Sequence, residues 1–250
     1  MAVKQKLQAR RGATIMAALL FFLVASVCGS IILAAATATL SRITTQAEDA
    51  RSYYSLTSAA QLMRNDFLNS HWEVEITQTK SGDTLTRTGK IKRLLDADGN
   101  EDTRTFIPNL LSTASQNETR SVFNVVDKMT ITSKKKTGES LPAIYAKPDE
   151  ITYKTLFENY QTGANTELHI LLTNDPNGFD TNGNPQYNNN VKEGNKTRQA
   201  YWLELTLYSV KVPSGYVDNT NEQGEGKITF QIGWDNASIR KLERPAASTP

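Results

Sequence analysis

"RRGATIMAALLFFLVASVCGSIILAAATATLSR", residues Arg10 to Arg42, carries no charge between Arg11 and Arg42. A bilayer core needs about 20 apolar residues in a helix, and a secretory h-region only about 7–15. The run from Gly12 to Ser41 exceeds both and predicts a membrane-spanning helix over 13–41. The small residues of "ILAAATAT" offer signal peptidase an alternative site, after Ala36 or Ala38. "VASVC" around Cys28 departs from a lipoprotein box, because Val27 is bulky and the apolar run continues past it. Lys4, Lys6, Arg10 and Arg11 precede the run with no acid among them. Basic residues stay on the cytoplasmic side, so the N-terminus is expected inside and everything after Arg42 extracellular or periplasmic.

Beyond Arg42 no Pro or Gly interrupts "ITTQAEDARSYYSLTSAAQLMRNDFLNSHW". Ile43, Ala47, Ala50, Tyr54, Ala60, Met63 and Phe67 recur at spacings near three and four, an amphipathic stripe. Glu48, Asp49, Arg51, Gln61, Arg64 and Asp66 occupy the other side. One helix is therefore expected from Ala13 to Asn69, roughly 80 Å long, with 42–69 as its amphipathic half. Within the apolar half, Ser26, Ser30, Ala34 and Ala38 fall four apart, and Ala25 and Gly29 repeat the step. Small residues so spaced let helices approach closely in lipid.

A basic leader ending in "RRG", then "ATIMAALLFFLVASVCGSIIL", then an amphipathic continuation resembles the class III signal of type IV pilins and pseudopilins. It is also similar to pilin-like proteins of tight-adherence-type pilus systems. The resemblance covers about the first quarter of the chain. It implies cleavage by a prepilin peptidase after Gly12, so that 1–12 is a leader and Ala13 the mature N-terminus. It also implies that other pilin-like subunits are the partners. The family carries Glu at the fifth mature position, where this chain has Ala17. That Glu neutralises a neighbour's N-terminal amine. A large minor pseudopilin at the tip of type II secretion filaments lacks it, so the resemblance points to a tip or initiating subunit.

The net charge is +2. Setting aside Lys4, Lys6, Arg10, Arg11 and Arg42 leaves 23 of the 28 basic residues against 26 acidic ones, a net of −3 beyond the anchor. No basic block exceeds Lys134–Lys136, which reads as a turn, and no basic stripe is interleaved with aromatics, so nucleic acid is not an expected partner. Cys28 is the only cysteine, which excludes an intramolecular disulfide.

The head, 70–242, alternates over short runs bounded by Gly, Asn and Asp, the signature of strands. "WEVEITQT" is expected to pair with "DTLTRTGKIKRLL" across "KSGD". "SVFNVVDKMTIT" is expected to place Phe123, Val125, Met129 and Ile131 on one face. "DEITYKTL" and "TELHILLT" read as strands. "AYWLELTLYSVKV" sets Leu203, Leu205 and Leu207 against Trp202, Thr206 and Tyr208, and "GKITFQIGW" closes the set. "IPNLLSTASQ" reads as a short helix and 243–250 as a disordered tail. The fold class is thus α+β: a long helix packed on a mostly antiparallel sheet.

Candidate chemistry is sparse. In "DADGNED", Asp96, Asp98, Asn100 and Asp102 alternate oxygen ligands in the manner of a calcium loop. Gly99 is two places early and Ile107 stands where an EF-hand has Glu, so an acidic hairpin loop competes. Calcium is the only cofactor the residues suggest. The loop 174–190 could ring a cation with Asp175, Asn177, Asp180, Asn182 and Asn184, although Asn, Gly and Pro are equally turn formers. His71 and His169 are the only histidines, His169 being expected to point away from Leu168 and Ile170. No H-E-x-x-H, G-x-S-x-G, P-loop or G-x-G-x-x-G occurs. The expectation is a non-enzymatic, pilin-like structural subunit of minor or tip type, anchored in a membrane. The alternative is an anchored adhesin-like module, hinted at by Tyr160, Tyr187 and Tyr216 in polar segments; an anchored hydrolase is a third.

Overall fold

The computed structural model describes residues 2–96, 98–102, 107, 110–124, 128–132, 142–193 and 196–243, with backbone alone at 2–15, 17, 193, 196 and 214. The chain divides into two compact units, Met1–Ala50 and Arg51–Pro250. Helix α1 (Ala2–Leu68) begins ahead of the expected Ala13. Residues 2–11 are mostly Ala, Lys, Gln, Leu and Arg, good helix formers, and no Pro interrupts the backbone through Gly12. At its far end Asn69 N and Nδ2 both donate to Asn65 O, and Ser70 Oγ donates to Phe67 O. These bonds satisfy carbonyls of the last turn.

In the second unit β1 (Ser70–Ser81) and β2 (Thr84–Asp96) form the expected hairpin, turned at Gly82. There follow β3 (Gln116–Asn117), β4 (Met129–Ile131), β5 (Ile144–Pro148), α2 (Tyr153–Thr162), β6 (Glu167–Thr173), β7 (Asn190–Glu193), β8 (Lys196–Gln199), β9 (Trp202–Thr220) and β10 (Gly226–Lys241). Eight strands make one antiparallel sheet in the order β3-β2-β1-β10-β9-β6-β5-β4, with β7 and β8 paired separately. The α+β expectation is met.

Alternation puts Trp72, Val74 and Ile76 of β1, Phe230 and Ile232 of β10, Leu203, Leu205 and Leu207 of β9, and Leu168, Ile170 and Leu172 of β6 in one buried core. Leu56, Ala59, Ala60, Met63 and Phe67 of α1 join that core. This corrects the sequence stripe, because Tyr54 is 69% exposed and Ile43 56% exposed. Leu56, Ala60, Met63 and Phe67 follow the i, i+4, i+7, i+11 row, whereas Tyr54 sits about 200° around the helix from Leu56 at 100° per residue.

A second correction concerns "DEITYKTL", which caps and begins α2 and forms no strand. Thr152 Oγ1 accepts from Thr155 N as the N-cap, and Gly163 closes the helix at φ +75°. Tyr153, Leu156, Phe157 and Tyr160 recur at helical spacing and are all buried. Gly89 of β2 is required beneath this helix, since a Cβ there would lie 2.4 Å from Tyr153 Cγ. A third correction concerns "SVFNVVDKMTIT", of which Met129–Ile131 is strand. Phe123 makes an isolated bridge to Leu111, and Val125 lies outside the described residues. "IPNLLSTASQ" is not helical at its described residues: Leu110 N donates to Ile107 O in a turn and Ser112 N to Val122 O. Lys134–Lys136 and 244–250 of the expected tail lie outside the described residues.

Candidate functional site

The first unit is a single bare helix. Leu19, Leu20, Phe21, Phe22, Ile31, Ile32 and Leu33 are each more than 60% exposed, and every residue from Ala18 to Ala47 is classed as exposed. By length and composition α1 can cross a membrane. Its few polar side chains are turned inward on the helix itself. Ser26 Oγ donates to Phe22 O at 2.9 Å, Ser30 to Val27 O at 2.8 Å, Thr37 to Ala34 O at 2.9 Å and Thr39 to Ala35 O at 2.8 Å. A hydroxyl so engaged leaves no unsatisfied donor facing hydrocarbon. The helix sets Ser26, Ser30, Ala34 and Ala38 along one row, and Gly29 has no heavy atom within 4 Å of where a Cβ would stand. Gly12, Ala13 and Ala17 are helical in backbone. Cys28 is exposed.

The loop Asp96–Asp102 is a tight turn at the end of β2. Asp96 Oδ1 accepts from Asp98 N at 3.0 Å and Asn100 N at 2.8 Å, while Asp96 N donates to Asn100 O. Gly99 N closes the turn on Asp96 O at φ +83°. Asp102 is buried at 8% exposure and donates its own amide to Leu94 O. The same construction recurs twice. Asp180 Oδ1 accepts from Asn182 N and Asn184 N, with Gly183 at φ +78°. Asn221 Oδ1 accepts from Gln223 N and Glu225 N, with Gly224 at φ +78°. The shared pattern is Asx-x-x-Gly-x, legible in "DADGN", "DTNGN" and "NEQGE" but masked by the acidic character of the first. A neutral Asn does the same work at 221, so the side-chain oxygen serves the backbone whatever its charge. Among the described residues no group of three His, Cys, Asp or Glu is placed to hold a metal ion.

The longer loop after β6 is fastened in the same internal way. Asp175 Oδ1 accepts from Asn177 N and Oδ2 from Asn188 Nδ2. Lys147 Nζ donates to Gly183 O at 3.0 Å, and Lys128 Nζ to Pro176 O. Phe179 and Tyr187 of this loop pack on Trp202 at 5.4 and 4.7 Å, which buries Trp202 on the sheet face opposite Leu203. Of the three tyrosines in polar segments, Tyr187 and Tyr216 are 37% and 41% exposed; Tyr160 belongs to α2 and is buried, a correction to the sequence reading.

One charged network had no sequence signal, because its members lie on three strands. A β-bulge between Glu73 and Val74 leaves Lys92 without a partner in the register, so Lys92 and Arg93 both reach Glu73, at 2.8 and 2.6 Å. Lys90 and Lys227 reach Glu75 at 3.2 and 3.3 Å. Burial pushes the Glu73 carboxyl up, but its hydrogen bonds and charge pairing with Lys92 and Arg93 prevail and hold it below its ordinary value. Glu75 is held low in the same way by Lys90 and Lys227. His169 points away from the core as expected, with Nδ1 3.2 Å from Glu204, which Arg240 also contacts at 2.6 Å. Asp149 lies within the field of His169, Glu204 and Lys147, and burial pushes its carboxyl up.

No family model, curated protein or solved structure matches the chain.

Proposed function

We propose that the chain is a non-enzymatic, pilin-like structural subunit, of minor or tip type, of a bacterial surface filament or secretion system. The observation that carries this reading is a helix uncharged from Gly12 to Ser41, with the hydroxyls of Ser26, Ser30, Thr37 and Thr39 returned to its own backbone and its side chains bare from Ala18 on. At about 45 Å, that stretch is longer than the roughly 30 Å hydrocarbon core. Tilt takes up part of the surplus, and helices of neighbouring subunits would cover the rest. Gly29 and the row Ser26, Ser30, Ala34 and Ala38 favour close approach. In the second unit the outward row of α1, Tyr54, Ser58, Gln61, Leu62 and Asn65, is exposed and uncharged. The basic leader orients the N-terminus to the cytoplasm and the head outside. Ala17 offers no carboxylate to a neighbour's amine, and an unpaired ammonium in a low-dielectric layer is costly, which suits a filament end.

N-terminal sequencing of the mature protein tests the reading, with Ala13 expected and Gly12→Trp expected to block processing by a prepilin peptidase. A mature protein starting at Met1, or near Thr37 or Thr39, would overturn it. The protein is expected to co-purify at low stoichiometry with a Glu-bearing pilin, and Ala17→Glu to permit self-association. Abundant filaments of the unmodified protein alone would remove the tip assignment.

A further inference from the structure

Among the described residues, Tyr216 of β9 is an exposed ring stacked nearly parallel on a buried one. It lies 5.8 Å from Tyr160 with 14° between the ring planes. Tyr160 cannot yield: it is 3% exposed, its ring is 4.7 Å from Phe230, Lys211 Nζ stands 4.4 Å from its centroid, and its hydroxyl donates to Val212 O. Tyr216 thus has one face backed by a fixed ring and, at 41% exposure, the other turned to solvent. Its hydroxyl donates to Asp218 Oδ2 at 3.2 Å, and Asp218 Oδ1 accepts from Thr220 N and Oγ1 at 2.9 and 2.8 Å. A carboxylate is therefore locked beside the open ring.

We propose that Tyr216 and Asp218 form a carbohydrate-binding site that stacks a pyranose ring of a surface polysaccharide. A pyranose offers an apolar C–H face to a rigid aromatic ring and hydroxyls to a neighbouring fixed acceptor. Rigid aromatics provide contact area with little entropy loss on binding. A protein partner is disfavoured, because it needs a contiguous apolar patch of several hundred Å². Tyr216 has none: Val217 is the only large exposed apolar side chain next to it along β9, and Asp218, Asn219 and Lys211 are polar and exposed. This site is independent of how the helix assembles, and its failure would leave the subunit reading untouched.

The test uses the full chain in lipid nanodiscs against linear hexose and N-acetylhexosamine pentasaccharides, with calorimetry on those that bind. At least one pentasaccharide is expected to bind. Tyr216→Ala should weaken it about tenfold or more, as expected for a central aromatic contact. Tyr216→Phe, which keeps the ring, should stay within about threefold, and Asp218→Asn should weaken binding. Tyr216→Leu keeps apolar bulk without a flat face and should lose as much as Ala, which decides the matter should the Ala variant misfold. No binding to any pentasaccharide, or a Leu variant that binds as well as the parent, would overturn the proposal.

Discussion

Phe67→Ala asks whether the end of α1 is a structural part of the head or merely leads into it. Phe67 has no exposed surface and lies 5.9 Å from Trp72 and 5.8 Å from Trp234, whose indoles are 5.1 Å apart. Removing a fully buried Phe costs about 3–5 kcal/mol from lost transfer energy and the cavity left behind. The edge-to-face contact with Trp234 adds about 0.5–1.5 kcal/mol, which places this site in the upper part of that range. For a unit of this size 1 kcal/mol moves the midpoint by about 2–4 °C, so a loss of roughly 6–20 °C is expected. The indoles beside Phe67 make tryptophan fluorescence a direct reporter during thermal unfolding of the full chain in nanodiscs. Membrane fractionation of the variant should match the parent, because the apolar stretch is untouched. A midpoint within about 2 °C of the parent's would refute the placement of Phe67 in the core.

Three further changes probe other parts of the chain. Glu73 has a depressed folded-state pKa, so its contribution is present above its unfolded value of about 4.5 and is lost as pH falls through the folded value. Glu73→Gln should cost about 1–2 kcal/mol at pH 7, between buried and exposed pairs because Lys92 and Arg93 stay 41% and 51% exposed, and the deficit should shrink below pH 4; an equal deficit at pH 3 would show that pairing is not its source. Thr152→Ala removes the N-cap of α2 and should cost about 1 kcal/mol in chemical denaturation, with Thr152→Ser neutral. Asp96→Asn should be nearly neutral while Asp96→Ala costs about 1 kcal/mol, and the melting point should be the same in calcium and in chelator; a chelator-sensitive midpoint would return the loop to a calcium role.

The sequence alone determined what depends on neighbours along the chain. An uncharged run longer than a bilayer core needs no tertiary information to be recognised as membrane-compatible, since length and charge decide it. β1, β2, β6, β9 and β10 were equally legible, because a strand buried on one face must alternate. The region 149–156 reads as a strand because Ile151 and Tyr153 mimic alternation, while the deciding signals are the Thr152 cap in its middle and Gly163, seven residues beyond it. The residues of α1 that enter the core were also beyond the sequence. Its apolar residues nearly encircle the helix between Tyr53 and Phe67, so periodicity permits several faces, and only contact with Trp72 and Trp234 selects the Leu56–Phe67 row. Tertiary structure alone decided two further features. Glu73 gains two cations through a bulge that shifts register by one residue, and Tyr216 becomes a platform because Tyr160, over fifty residues earlier, lies flat behind it. Both depend on distances between strands and helices that no local pattern encodes.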